Sequence, residues 1–409
     1  MSSSRSSDVI VIGAGAIGAA CALALARRGV DVRVLEAGPT WGMGCSRASA
    51  GLIVPSHSTP IASPAVLREG LGSLARGRDE VALRLRPATV PWALRYALAS
   101  RSKVSSASRK ILHGLSRRSL GRYRSLETEG VEMDLQHEGV IAAYESEASL
   151  DAARAGQRGL EECEVLDQPD IEAEAPGLTG ARGGLLFPRE AHGDPAVIAS
   201  GLGEAAISLG AEFHPGSSVL RVDADARGVG VTTGAARFRC GHVVVATGAE
   251  VPPGIGRGAT RGALIPGVGH SFEVEAELGF RRPVLLADRH VVLTPMRGRL
   301  RVAGGLWLGG MGSRREGRRV ASVAATAERA LPALRAASRR ASALGARACT
   351  PDGLPLVGVS GDDERVLIAT GHAMLGITLA PVTGDLIAGL VAGDPPDDAL
   401  DALDPRRFS

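Results

Sequence analysis

The 409-residue chain has almost no net charge: 47 Lys and Arg against 44 Asp and Glu leave +3 at pH 7. So even a balance offers no electrostatic footprint for nucleic acid, which is not expected as a partner. Lysine is nearly missing, with Lys103 and Lys110 alone, and the abundance of Arg, Ala and Gly points to a GC-rich coding sequence rather than to a function. Cysteine is scarce. Cys21, Cys45, Cys163, Cys240 and Cys349 are odd in number and lack Cys-x-x-Cys spacing, so neither a disulfide framework nor a zinc site is expected, and the reading is a reducing compartment without a bound metal. Long apolar runs are also few. The uncharged stretch from Val9 to Ala26 just reaches the ~18 residues that span a bilayer, but a strand-like start followed by Gly13, Gly15 and Gly18 makes a poor membrane helix. Ser2 to Ser7 is polar, carries one arginine and has no apolar core, so a secretory signal is not expected and the expected location is the cytoplasm.

What the chain does have is a nucleotide-binding fingerprint. Val9 to Ile12 is a continuous apolar strand of the kind buried in a parallel sheet, and the chain turns at Gly13 into a run of small residues. Gly13 permits the tight turn, Gly15 lets a pyrophosphate approach the amides at the positive end of a helix, and Gly18 lets that helix lie close on the strand. Gly29 is placed to end the helix, Val30 to Leu35 alternate as a second strand, and Glu36 at its end accepts hydrogen bonds from ribose hydroxyls. An acid there repels a 2′-phosphate, which argues against NADP. The unit predicts an α/β fold with a Rossmann-like domain.

A chain of this length exceeds what one core usually supports, and two interleaved domains are expected. The Gly/Ser-rich loop from Gly42 to Gly51 follows the second strand and is expected on the cofactor, because ligands sit at the carboxyl ends of parallel strands. Residues 64–130 read as helical, with Pro87 and Pro91 as breaks. Within them, 101–124 carries eight Lys or Arg and no acid beside Ile111, Leu112, Leu115 and Leu120. Such a helix offers peripheral contact with an anionic inner membrane face, although a solvated charged face on a packed helix is the plainer reading. Strands are expected at 139–144, 183–187, 219–222, 228–232 and 243–248, with helices at 149–162 and 195–209. Those between 262 and 305 read as a second, more antiparallel sheet. Near the end, 347–355 reads as a rigid turn and 366–370 as a strand. A Gly-rich turn at 371–378 follows, then a helix through 379–391 with Pro381 in its first turn, and a loosely ordered acidic tail at 394–404.

With these pieces in order, the chain resembles the flavin-dependent D-amino-acid dehydrogenase and glycine oxidase family, grouped with sarcosine oxidases. The resemblance rests on Gly13, Gly15 and Gly18 with Glu36, on Ser46 to Leu52, on Val243 to Gly248, on Arg347 to Pro355 and on Gly371 to Gly384. It implies a Rossmann-like FAD-binding domain (1–62, 188–258 and 345–409) interleaved with a substrate domain on a mostly antiparallel sheet (63–187 and 259–344). It implies non-covalent FAD: Cys349 is off the offset at which sarcosine oxidases attach flavin. Gly13, Gly15, Ala16, Ile17 and Gly18 would hold the pyrophosphate, and Glu36 with Ala37 the ribose. Ser46, Arg47, Ala48, Ser49, Gly51 and Leu52 would hold the middle of the cofactor, with Val219, Thr247 and Gly248 beside it. Gly371, His372, Leu375, Gly376, Ile377 and Thr378 would lie along the isoalloxazine.

Arg347 matches the arginine of the family that pairs with a substrate carboxylate, a task suited to the planar guanidinium fork. His270 and His372 are weaker candidates at the substrate, among His57 and His290. Where glycine oxidases carry a second arginine this chain has Met374, which weakens the case for glycine. The implied activity is oxidation of the Cα–N bond of a D-amino acid, D-proline and hydroxyproline included, by hydride transfer to flavin N5. A quinone or electron-transfer chain, or O2, would accept the electrons. A sarcosine-type secondary-amine oxidase, a flavin-carrying subunit without an amine substrate, and an NAD-dependent dehydrogenase are the alternatives. The segment 371–384 speaks against the last.

Overall fold

The computed structural model describes residues 7–64, 66–68, 81–84, 86–157, 162–255, 262–275, 279–310 and 316–408. The leader before Ser7, part of the helix expected at 149–162 and the boundary expected at 258/259 lie outside the described residues.

Two large sheets carry the fold. In the first, the strand Ser7–Ile12 runs parallel to Val32–Leu35 on one side and Arg237–Val245 on the other. Val9 to Ile12 are at most 3% exposed, because apolar clusters cover both faces of the sheet. Glu212–His214 and Val366–Thr370 extend it in parallel, while Val219–Asp225 and Gly228–Thr233 are added antiparallel. The strand Val32–Leu35 does not alternate as its sequence predicts. Apolar clusters cover both of its faces, and even Arg33 is buried, paired with Glu212 at 2.8 Å and lying over the Phe238 ring.

The second sheet is mostly antiparallel and runs in the order Arg339–Cys349, Ile265–Val274, Arg299–Leu308, Val291–Met296, Val284–Leu286, Val140–Tyr144, Gly183–Phe187, Glu164–Leu166. The fold is thus α/β, with strands of the two sheets drawn from alternating stretches of chain. The strand Arg339–Cys349 runs across the boundary expected at 344/345, so the first three residues of the turn expected at 347–355 end that strand and the turn itself follows at 351–353. Val81–Leu83 pairs in parallel with Leu306–Leu308 inside a stretch that reads as helical, and three residues are too few for a period to show. Pro87 and Pro91 each stand in a first helical turn, where no N–H is needed, and so start helical segments rather than break them.

Helices cover the first sheet. The first helix, Ala16–Ala26, packs against Pro195–Ser208 and against the terminal helix, Gly376–Ala392. Small residues allow this: a Cβ on Gly384 would stand 2.4 Å from the carbonyl oxygen of Ala20. The apolar stretch 373–392 is long enough to cross a membrane, yet 67% of its most apolar window is buried inside the protein, as for a core helix. The terminal helix starts at Gly376, three residues before the expected Leu379, so Pro381 falls in its second turn. There its missing N–H leaves the Ile377 carbonyl without its helical donor. Tyr123, from the long basic helix Ser102–Thr128, donates its hydroxyl to that oxygen at 2.7 Å. The Val382 N–H is directed at Ser119 Oγ, 3.4 Å away.

The cations in the second half of the basic helix are tied to the protein. Arg118 pairs with Asp397, Arg122 with Glu129 and Asp385, and Arg124 donates to the Arg189 carbonyl. The acidic tail is ordered, contrary to its composition. Leu400–Leu403 is helical with Leu403 buried, and Arg407 holds Asp352 with two hydrogen bonds of 2.8 and 3.1 Å.

Candidate cofactor and substrate cleft

A cleft of about 680 Å³ opens where the parallel strands end, lined by the residues that follow Ile12, Leu35, Val245 and Ala369. Gly13, at φ +97°, turns the chain off its strand and donates its amide to Leu35 O at 2.8 Å. A Cβ on Gly18 would come within 1.8 Å of the Gly13 carbonyl oxygen, so the helix lies against the turn only because position 18 is bare. Glu36 is fixed by two amides: Ala14 N–H donates to Oε2 at 2.6 Å and Gly38 N–H to Oε1 at 2.7 Å. Ser46, in the turn Cys45–Ala48, accepts from Ala16 N–H at 3.0 Å, which sets a hydroxyl on the positive end of the first helix.

That turn is held from the second sheet. Arg301, nearly fully buried, donates Nη1 to the carbonyls of Arg47 and Ser49 at 2.6 and 3.1 Å and Nη2 to Glu273 at 2.6 Å. On the opposite wall Thr370 donates to Gly248 O at 2.6 Å, and Thr247 Oγ1 is buried with no partner among the described residues. A second helix N-terminus, that of Gly376–Ala392, follows Gly371, which sits at φ +81°.

Arg347 stands on the wall near this second helix. Because it lies on a strand, opposite Gly267, its direction is set by the sheet rather than by a turn. Nη1 donates to Gly305 O at 2.8 Å, and the guanidinium lies over Gly269, where a Cβ would stand 2.2 Å from Nη1. Cys45 lines the same cleft. Burial pushes its thiol up, with Arg347 pulling the other way, so it stays protonated. Burial drives Cys349 up to about 12.

Of the residues expected at the cofactor, Gly13, Gly15, Ala16, Ile17, Glu36, Ala37, Ser46, Ser49, Val219, Thr247, Gly248, Gly371, His372, Gly376 and Ile377 line this one cleft. Gly18, Ala48, Gly51, Leu52, Leu375 and Thr378 stand behind it. Thr378, for example, bonds Leu52 O and Val54 N and ties the terminal helix to the strand Leu52–Ile53. Arg47 points its side chain to solvent.

The histidines differ from expectation. His372 lines the cleft, but its Nε2 shares a hydrogen bond with Thr383 at 2.9 Å, and burial lowers its pKa to about 3, so the ring is neutral. His270 lies outside the lining, buried with its ring stacked on Phe272 and Nε2 at 2.9 Å from Ser342 Oγ. His57 and His290 are not among the lining residues either. Leu344 and Met374 line the cleft half-exposed; Met374 is marked by its place in the motif, whereas Leu344, Gly269 and Arg301 carry no sequence signal, since their importance depends on what the register sets beside them.

A family model described as DAO, FAD dependent oxidoreductase, matches residues 8–390. A D-amino acid dehydrogenase of Paramagnetospirillum magneticum is 31% identical, over 98% of this chain and 99% of that protein. One from Methylobacterium radiotolerans is 29% identical over the same shares of each. The crystal structure of glycine oxidase from Geobacillus kaustophilus superposes with a TM-score of 0.75 at 25% identity, covering 99% of this chain and 100% of that one. L-proline dehydrogenase from P. horikoshii, at 17% identity and a TM-score of 0.71 over 99% and 98%, shares the fold.

Proposed function

The chain belongs to the DAO family of FAD-dependent oxidoreductases, and from that premise we propose that it oxidises the Cα–N bond of a D-amino acid whose carboxylate is held by Arg347. The protein is an FAD-dependent enzyme, and the cleft suits the cofactor on its own terms. A bare glycine turn meets a helix N-terminus, Glu36 is pinned beside it, and Thr247 Oγ1, without a partner among the described residues, is buried in the wall. In the reading proposed here, Gly13 to Ile17 and Ser46 hold the diphosphate, Glu36 the ribose, and residues 371–377 the flavin, with the terminal helix directing its positive end at the ring. Bound FAD supplies a two-electron acceptor.

The observation that carries the substrate assignment is Arg347, the one guanidinium on the cleft wall among the described residues, bonded on one side to the Gly305 carbonyl and with a fork still able to receive a carboxylate. Arg347 then orients the Cα–H, and the neutral amine releases its lone pair as the C=N bond forms. The imine hydrolyses to an oxo acid and ammonia, whereas a cyclic amine such as D-proline stops at the cyclic imine. His372, bonded to Thr383 and made a poor proton acceptor by burial, is not assigned as a base, and in this reading catalysis is positioning and stabilisation of developing negative charge by the helix. The apolar Leu344 and Met374 favour a substrate with an apolar or cyclic side chain. FAD is bound non-covalently in this reading, since Cys349 is fully buried with its sulfur packed on Gly267.

The test is anaerobic titration of the purified yellow protein with D- and L-amino acids, D-proline, glycine and sarcosine, following the visible flavin band. Bleaching by apolar D-amino acids or D-proline is expected, and Arg347→Leu should abolish it while leaving FAD bound. Bleaching by sarcosine alone would assign a secondary-amine oxidase, and no bleaching by any amine a flavin-carrying subunit. Reduction of the Arg347→Leu variant at ordinary substrate concentrations would overturn the carboxylate role.

A further inference from the structure

The helix Val90–Ala99 is apolar on both faces. Inward, Trp92 and Tyr96 are buried and stacked 5.1 Å apart, with Trp92 Nε1 donating to Cys349 O at 3.1 Å and Tyr96 Oη to Ile61 O at 3.0 Å. Outward, Val90, Leu94 and Leu98 recur every fourth residue at 45, 63 and 54% exposure, and Val104, in the first turn of the next helix, adds a fourth at 43%. A ridge of this kind on the solvent side of a rigidly anchored helix costs solubility unless something covers it.

The charge along this segment of sequence is of one sign. From Val81 to Leu126 the sequence contains no Asp or Glu, and both lysines of the chain fall here. Arg86, Arg101, Lys103 and Lys110 are exposed in the same stretch of chain as the ridge, in contrast to Arg118, Arg122 and Arg124 further along, which the protein itself engages. An apolar ridge bordered by cations is the pattern of a surface that lies in a lipid headgroup layer. A second copy of the chain fits less well, because a two-fold contact would bring two segments without a single acid together. We propose that the Val90–Val104 edge seats on an anionic lipid surface, with Leu94 and Leu98 entering the headgroup layer and Arg101, Lys103 and Lys110 meeting its phosphates. The contact is therefore at the start of the basic stretch and the helix before it, not along 101–124 as a whole.

Flotation of the FAD-loaded protein with vesicles of phosphatidylcholine, with and without a third of phosphatidylglycerol, tests this. Binding is expected only to the anionic vesicles and should fall with added salt. Lys103→Gln with Lys110→Gln should weaken it about fivefold for each charge removed. Leu94→Asp with Leu98→Asp should lower it at least tenfold. All four positions lie outside the cleft, so flavin content and amino-acid bleaching should be unchanged, which separates this test from that of the proposed reaction. Failure of the unaltered protein to float with anionic vesicles would overturn the proposal. So would undiminished binding by the Leu94/Leu98 variant, or a dimer in sedimentation that the same variant dissolves without any vesicle binding.

Discussion

The Tyr123–Ile377 hydrogen bond offers a sharp quantitative test of how the flavin end of the cleft is built. Pro381 deprives the Ile377 carbonyl of its helical donor, and the Tyr123 hydroxyl replaces it at 2.7 Å, with both residues buried. Tyr123→Phe keeps the ring and leaves that carbonyl unsatisfied, at a cost of about 1–3 kcal/mol. Taking ~2 kcal/mol, amide exchange across 376–392 should accelerate about thirtyfold, measured by hydrogen exchange with mass spectrometry on the flavin-loaded protein. Pro381→Ala returns an N–H to the same oxygen. In that background the Tyr123→Phe penalty should fall to about 0.5 kcal/mol, since the carbonyl is then bonded within the helix, giving a coupling of at least ~1 kcal/mol. If the two substitutions add to within ~0.5 kcal/mol, the Tyr123 hydroxyl is not standing in for the missing proline donor, and the reasoning fails.

Further outcomes follow from the same geometry. Gly269→Ala places a Cβ where the Arg347 guanidinium lies, so FAD should stay bound while the apparent substrate affinity falls by roughly the tenfold or more that a lost charge-assisted hydrogen bond represents. An unchanged substrate titration of that variant would show that Arg347 does not need its slot. His192 and His372 have pKa values lowered by burial to about 4 and about 3 from 6.5, so the unfolded chain binds their protons first. Their contribution is complete above pH 6.5 and is lost as pH falls towards 4 and 3, by up to about 1.4 kcal/mol per pH unit for each. Thermal melts from pH 7 to pH 5 should show it, and His372→Gln should flatten the slope. Denaturation with trichloroacetic acid should leave all yellow colour in the supernatant; flavin precipitating with the protein would mean a covalent bond.

How legible the molecule was in its sequence depended on the distance over which each feature is made. The turn from Gly13 to Gly18 and the acid at Glu36 lie within one βαβ unit, so local spacing carries them, and the two helix N-termini could be read from glycine patterns. The polar tail at 394–404 misled, because composition cannot show that Arg407 reaches Asp352 or that Leu403 has a pocket to fill. Arg347 reads from its motif as a turn residue, and only pairing with Ile265–Val274 shows it standing on a strand over Gly269. His270 follows the same rule in reverse: packing sets it against Ser342 and Phe272, outside the cleft lining. Tyr123 and Arg301 meet partners more than 250 residues away, and no local period records such a meeting. Nearest-neighbour chemistry thus set where the cofactor is anchored. The register of the second sheet and the crossing of the helices set which side chains face it, because a side chain's direction follows from pairings that form only when the whole chain has packed.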